Sequence, residues 1–113
     1  MKEGLTVKQK QTKYGQRLEL VGQLSTSTTY LFKDFWNEFS KQKNSNVSFD
    51  MSGLQWIDSL GVRTLSKFVA SLQSDGIDVF AYGMSEEIEA ILECVDVLDT
   101  IKLVGSEKEI PPS

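Results

Sequence analysis

The chain has 113 residues, with 12 basic and 16 acidic side chains for a net charge of −4; 40% of its residues are hydrophobic and 10% aromatic, which sets one domain with a packed core rather than a disordered tail. It contains no histidine, which excludes histidine general bases, Ser/His/Asp triads, histidine metal sites and histidine phosphotransfer. The single Cys94 has no partner for an internal disulfide or a CxxC site, and the acidic balance argues against a general nucleic-acid binder.

The polar start, Met1 to Gln11, carries Lys2, Lys8 and Lys10 and does not read as a signal peptide. Apolar runs as short as Val79-Phe80-Ala81-Tyr82 cannot span a bilayer, so a soluble cytoplasmic protein is expected. Residues 5–10 and 16–22 read as two strands. In the second, Leu18 and Leu20 alternate with Arg17 and Glu19, and Tyr14-Gly15-Gln16 supplies the turn between them. Ser25 to Thr29 offers several cap residues for a helix whose apolar stripe is Leu31, Phe32, Phe35, Trp36 and Phe39, ending in Lys41-Gln42-Lys43-Asn44. Val47, Phe49 and Met51 alternate with Ser48 and Asp50, predicting a third strand that ends near Met51.

After a short loop, Leu65, Phe68, Val69 and Leu72 mark an amphipathic helix closed by Asp75-Gly76. Ile77 to Tyr82 is the fourth strand. Ile88, Ile91, Leu92 and Val95 mark a third helix, with Glu86 and Glu87 in its first turn, where the helix dipole favours negative charge. Ile101 to Val104 forms a last short strand, and Pro111 and Pro112 sit in a tail expected to fray. The order β-β-α-β-α-β-α-β predicts an α/β fold, a mixed and largely parallel sheet covered by helices. One domain spans 1–113, with its core at about 5–109.

The stretch Val47 to Leu65, VSFDMSGLQWIDSLGVRTL, carries the functional information. Ser59 stands where an N-cap is expected, its hydroxyl able to accept from first-turn N–H groups. The same place is an anion site, so a phosphate on Ser59 would be partly accommodated while sitting beside Asp58. Gly61 leaves the first turn open to close approach by another surface. On these residues alone, Ser59 and Asp58 serve equally as plain caps.

This stretch resembles the signature of STAS domains, the module shared by anti-sigma factor antagonists and the tails of sulfate transporters. The likeness rests on Val47-Ser48-Phe49-Asp50-Met51, Ser52-Gly53-Leu54 and Ile57-Asp58-Ser59-Leu60-Gly61. It extends to Leu20-Val21-Gly22-Gln23-Leu24 and to Val79-Phe80-Ala81-Tyr82-Gly83-Met84-Ser85, covering about Leu5 to Glu109. The resemblance implies a STAS-like domain and an anti-sigma factor antagonist, with Ser59 the serine phosphorylated by a partner kinase. That kinase would itself be the ATP-binding anti-sigma factor. Unphosphorylated, such an antagonist binds it and releases a sigma factor for transcription. The implied contact surface is Ser25, Trp56, Asp58, Leu60, Gly61, Val62, Met84 and Ser85. Ser25 replaces the acid many members carry there. Leu60 replaces a second hydroxyl, leaving Ser59 the only acceptor in its loop and adding an exposed apolar side chain. No enzymatic activity, cofactor or metal is implied. The alternative is a STAS module not switched by phosphate, such as a lipid-transport ATPase subunit or a small-ligand or nucleotide sensor.

Other features read two ways. Glu86, Glu87, Glu89, Glu93, Asp96 and Asp99 form either a solvated face or a patch for a basic partner. Trp36 has core spacing, whereas Trp56 suits core or contact equally. Cys94, beside Ile91, Leu92 and Val95, reads as buried. A hydrolase using Asp58 and Ser59 finds no side chain tuned to serve as base. Lys8, Lys10, Lys13 and Arg17 read as a solvated hairpin.

Overall fold

The computed structural model describes residues 4–39, 46–94 and 100–112. Its elements are β1 (Leu5–Thr12), β2 (Gly15–Leu24), α1 (Thr29–Glu38), β3 (Asn46–Ile57), α2 (Ser59–Ser74), β4 (Asp78–Tyr82), α3 (Glu86–Glu93), β5 (Lys102–Leu103) and a 3-10 turn at Glu107–Glu109. The five strands form one sheet in the order β1-β2-β3-β4-β5. β1 and β2 are antiparallel and every other pairing is parallel, so the mixed, helix-covered α/β sheet is as expected.

Alternation decides what each face of the sheet does. Leu18 and Leu20 of β2, Phe49 and Met51 of β3 and Ala81 of β4 are buried in a core shared with Phe32 of α1, Leu65, Phe68 and Leu72 of α2, and Ile88 and Leu92 of α3. The Phe68 ring is the hub, with centroids 5.3 Å from Phe32, 5.1 Å from Trp36, 5.6 Å from Phe39 and 6.0 Å from Phe49. Trp36 is therefore a core residue, as its spacing indicated. The register sets Arg17 beside Ser48 and Ser48 beside Phe80 on the opposite face.

The chain's last described stretch binds to that second face. Arg17 Nη1 lies 3.1 Å from Glu107 Oε1, Asn46 Nδ2 donates to the Pro111 carbonyl at 2.8 Å, and Ile110 is only 1% exposed. The fold thus holds the chain through Pro111, beyond the expected core limit. Burial, reinforced by Asp50 and Glu107, pushes the Tyr82 hydroxyl up to about 12.

Three differences from expectation have physical causes. β3 runs to Ile57 because two register shifts against β2 each absorb one extra residue, between Asp50 and Gly53 and between Leu54 and Trp56. These bulges break the period-2 pattern that located the strand. β4 pairs with β3 only over Asn46–Asp50, and the end of β3, Trp56 and Ile57, shares a pocket with Ile91 of α3. α1 begins without a side-chain cap: the Thr28 hydroxyl instead accepts from Ser25 N–H at 2.9 Å and donates to the Gln23 carbonyl at 2.7 Å. Cys94 is exposed rather than buried, since α3 ends at Glu93 and its cysteine cap residue faces outward.

α2 closes as expected, with Gly76 at φ +80°, a value a side chain disfavours, and Ile77 N–H reaching back to the Leu72 carbonyl at 3.1 Å. Lys41 to Asn44, Val95, Asp96 and Asp99 lie outside the described residues.

Candidate functional site

The site is the junction where β3 ends and α2 begins. Ile57 is buried, which fixes the strand's last turn, and Asp58 N–H donates to the Leu24 carbonyl at 3.2 Å. Asp58, in extended conformation, is the N-cap of α2, and Ser59 is the first helical residue. This corrects the expectation that Ser59 caps. A carboxylate has two acceptor oxygens and both are used. Oδ1 accepts from Gly61 N–H at 2.8 Å, and Oδ2 accepts from the Thr26 N–H at 2.8 Å and the Thr26 hydroxyl at 3.0 Å. One side chain therefore caps α2 and clamps the β2–α1 loop. Burial opposes the Asp58 charge, yet the hydrogen bonds from Gly61, Thr26 and Leu60 outweigh it and hold the carboxyl below its ordinary value.

Ser59 is exposed, and its hydroxyl makes no hydrogen bond among the described residues. Gly61 is buried rather than open to another surface: the close approach it allows is by the chain itself, and a Cβ there would collide with the Leu24 carbonyl. Leu60 is half-buried rather than exposed, and its carbonyl accepts the Thr64 hydroxyl at 2.9 Å. Val62 is buried. Ser25, expected on the contact surface, is only 6% exposed, its hydroxyl 3.1 Å from that of Ser27.

Trp56, Ile57, Val62, Ile91 and Cys94 line a cavity of about 340 Å³, which the Asp58–Ser59 step completes. Its walls are almost entirely apolar. Trp56, with 45% of its surface exposed, stands at the rim and is not a core residue. The structure brings the far end of α3 to Ser59, whereas the expected Met84 and Ser85 lie at its start. Met84 is half-buried against the core, and Ser85 caps α3 by accepting from Ile88 N–H at 3.2 Å. Ile91, Cys94 and Thr26 belong to the site and were missed. Ile91 sat in a core stripe, and Thr26 is 32 residues from Asp58, beyond any local pattern.

α3 carries Glu86, Glu87, Glu89 and Glu93 and no base. Among the described residues no group of three His, Cys, Asp or Glu could hold a metal, and no helix is long and apolar enough to cross a membrane.

A strand-helix junction with an exposed serine beside a capping aspartate, on a mixed sheet in this order, defines a class. The STAS domain family profile matches residues 9–110, and the chain belongs to that family. Among solved structures, a chain from Thermotoga maritima described as a candidate anti-sigma factor antagonist superposes with a TM-score of 0.75 at 19% identity, covering 91% of this chain and 89% of that one. The Bacillus cell fate determinant SpoIIAA in its phosphorylated form gives a TM-score of 0.66 at 13% identity, with 94% and 96% covered. A murine anion transporter gives 0.63 at 14% identity, covering 87% of this chain but 16% of the transporter. These likenesses are of fold. No curated protein matches by sequence.

Proposed function

We propose that this STAS domain is a cytoplasmic anti-sigma factor antagonist, a binding protein without turnover of its own, switched at Ser59. The observation that carries the reading is the division of labour at the α2 start. Asp58 does the capping, so the Ser59 hydroxyl is exposed, uncommitted and beside an apolar cavity. Asp58 is a poor general base, since its pKa is depressed and its oxygens are engaged. The base must come from a partner, which suits a kinase substrate. The Ser59 Oγ–P bond forms as the bond from the γ-phosphorus to ADP breaks, and the hydroxyl proton passes to the kinase.

The product carries about −1.5 to −2 of new charge against Asp58, on a helix terminus that stays capped. The unphosphorylated domain would hold an ATP-binding anti-sigma factor kinase and thereby release a sigma factor. The family membership and the fold shared with phosphorylated SpoIIAA support this reading.

The test is a pull-down from a lysate of the source organism with wild-type, Ser59→Ala and Ser59→Glu baits, and phosphate mapping on the wild type. The expected result is an ATP-binding kinase retained by wild type and alanine, weakened or lost with glutamate, and phosphate on Ser59. The fold shared with part of a transporter supports a second reading, a module of a transport assembly. Equal capture of membrane-transport subunits by all three baits would favour it. A thermal shift with GTP or ATP would favour a nucleotide sensor.

A further inference from the structure

We infer that the cavity between β3, α2 and α3 is the socket for one apolar side chain of the kinase partner, carried on a basic segment, and that phosphate at Ser59 acts by spoiling this socket rather than by repelling the partner through space. The inference rests on the reading of Ser59 given above.

Two observations combine. The first is the cavity: about 340 Å³, walled by Trp56, Ile91, Val62 and Cys94, with Ser59 in its lining. An exposed tryptophan beside an apolar recess is a common form of binding anchor. The second is the charge around it. By helical spacing Glu87 lies one turn before Ile91 and two before Cys94, and α3 has four glutamates and no base. α2 contributes Arg63, one turn beyond Ser59, and Asp58 stands at its cap. A segment that meets this rim and complements it is basic around an apolar tip.

That charge gives the switch a definite logic. A basic segment is attracted by an added phosphate, so long-range electrostatics alone would tighten the complex on phosphorylation, the wrong sign for release. The short-range effect has the right sign. Phosphate oxygens at the socket need water, and an apolar tip seated there would strip it from them. Release is then a desolvation effect, which salt does not screen, superimposed on an attraction that salt does screen.

The experiment measures affinity of purified domain variants for the kinase captured above, at about 0.1 M and about 1 M salt, where the Debye length falls from about 10 to about 3 Å. Cys94→Trp fills the socket from an exposed position without changing charge, and Trp56→Ala opens its rim. Each should weaken binding about 10- to 100-fold, the worth of one buried apolar side chain. A circular-dichroism melt confirms that both variants fold. Glu87→Lys with Glu93→Lys should weaken binding at low salt and approach wild type at high salt. The loss in Ser59→Glu should persist at high salt.

Wild-type affinity in both socket variants would overturn the inference, as would a Ser59→Glu defect that salt removes. A wild-type dimer dissociated by Cys94→Trp would make the occupant a second copy and overturn it too. If the wild-type domain captures no kinase, the functional reading itself falls; if it does and the socket variants bind normally, only the socket falls.

Discussion

Replacing Asp58 tests the double duty of its carboxylate. Asp58→Ala removes the α2 cap, worth about 1 kcal/mol, and leaves the Thr26 N–H and hydroxyl without their acceptor. The second loss adds at most about 1 kcal/mol, because Thr26 is exposed and water partly compensates. The total of at most about 2 kcal/mol corresponds to a fall in Tm of at most about 8 °C for a domain of this size. Asp58→Asn keeps one acceptor oxygen and should lose about half as much. Urea unfolding followed by circular dichroism measures both, with the m-value unchanged. Because the folded-state pKa lies below the ordinary value of 3.8, the folded state binds fewer protons than the unfolded one in that range. The stabilisation from ionised Asp58 is complete above the unfolded pKa and disappears as pH falls through the folded one. Wild type and Asp58→Asn should therefore converge as pH falls below 3.8 and through the lower folded-state value. A gap under about 0.5 kcal/mol at pH 7 would refute the cap argument, being the size of an ordinary surface change. A gap that does not narrow as pH falls below 3.8 would refute the charge argument.

Gly61→Ala places a methyl against the Leu24 carbonyl, which is backbone and cannot turn aside. A loss of about 1–3 kcal/mol is expected in the same urea assay, and a neutral result would show that β2 and α2 separate easily. Tyr82, held protonated to about pH 12, binds a proton in the folded state that the unfolded chain releases near 10. Stability should therefore fall as pH rises from 10 through 12, and Tyr82→Phe should flatten that slope.

The sequence made helix faces and most strands legible because their burial is local and periodic. Phe68, Val69 and Leu72 all turn inward as their spacing required. β3 beyond Met51 was hidden because its bulges follow β2's register, a non-local quantity. The cap was misassigned by one residue: serine and aspartate are equally good caps in isolation, and the choice fell to Asp58 because Thr26, distant in sequence, supplies donors for the second oxygen. Cys94 was misread because an apolar neighbourhood in sequence does not say which way the end of a two-turn pattern faces. The stretch Ile57 to Gly61 was legible as a motif; the walls that Ile91 and Cys94 add to it were visible only once α3 was placed.

The strap formed by Glu107, Ile110 and Pro111 has a consequence for how the molecule is made. Arg17 waits 90 positions for its partner, and Asn46 waits 65. Emerging from the ribosome in chain order, the hairpin and the parallel strands assemble with one face of the sheet still unsealed. The outer face closes only once Glu107 to Pro111 are available to it, and contacts of such long separation set the pace of that step.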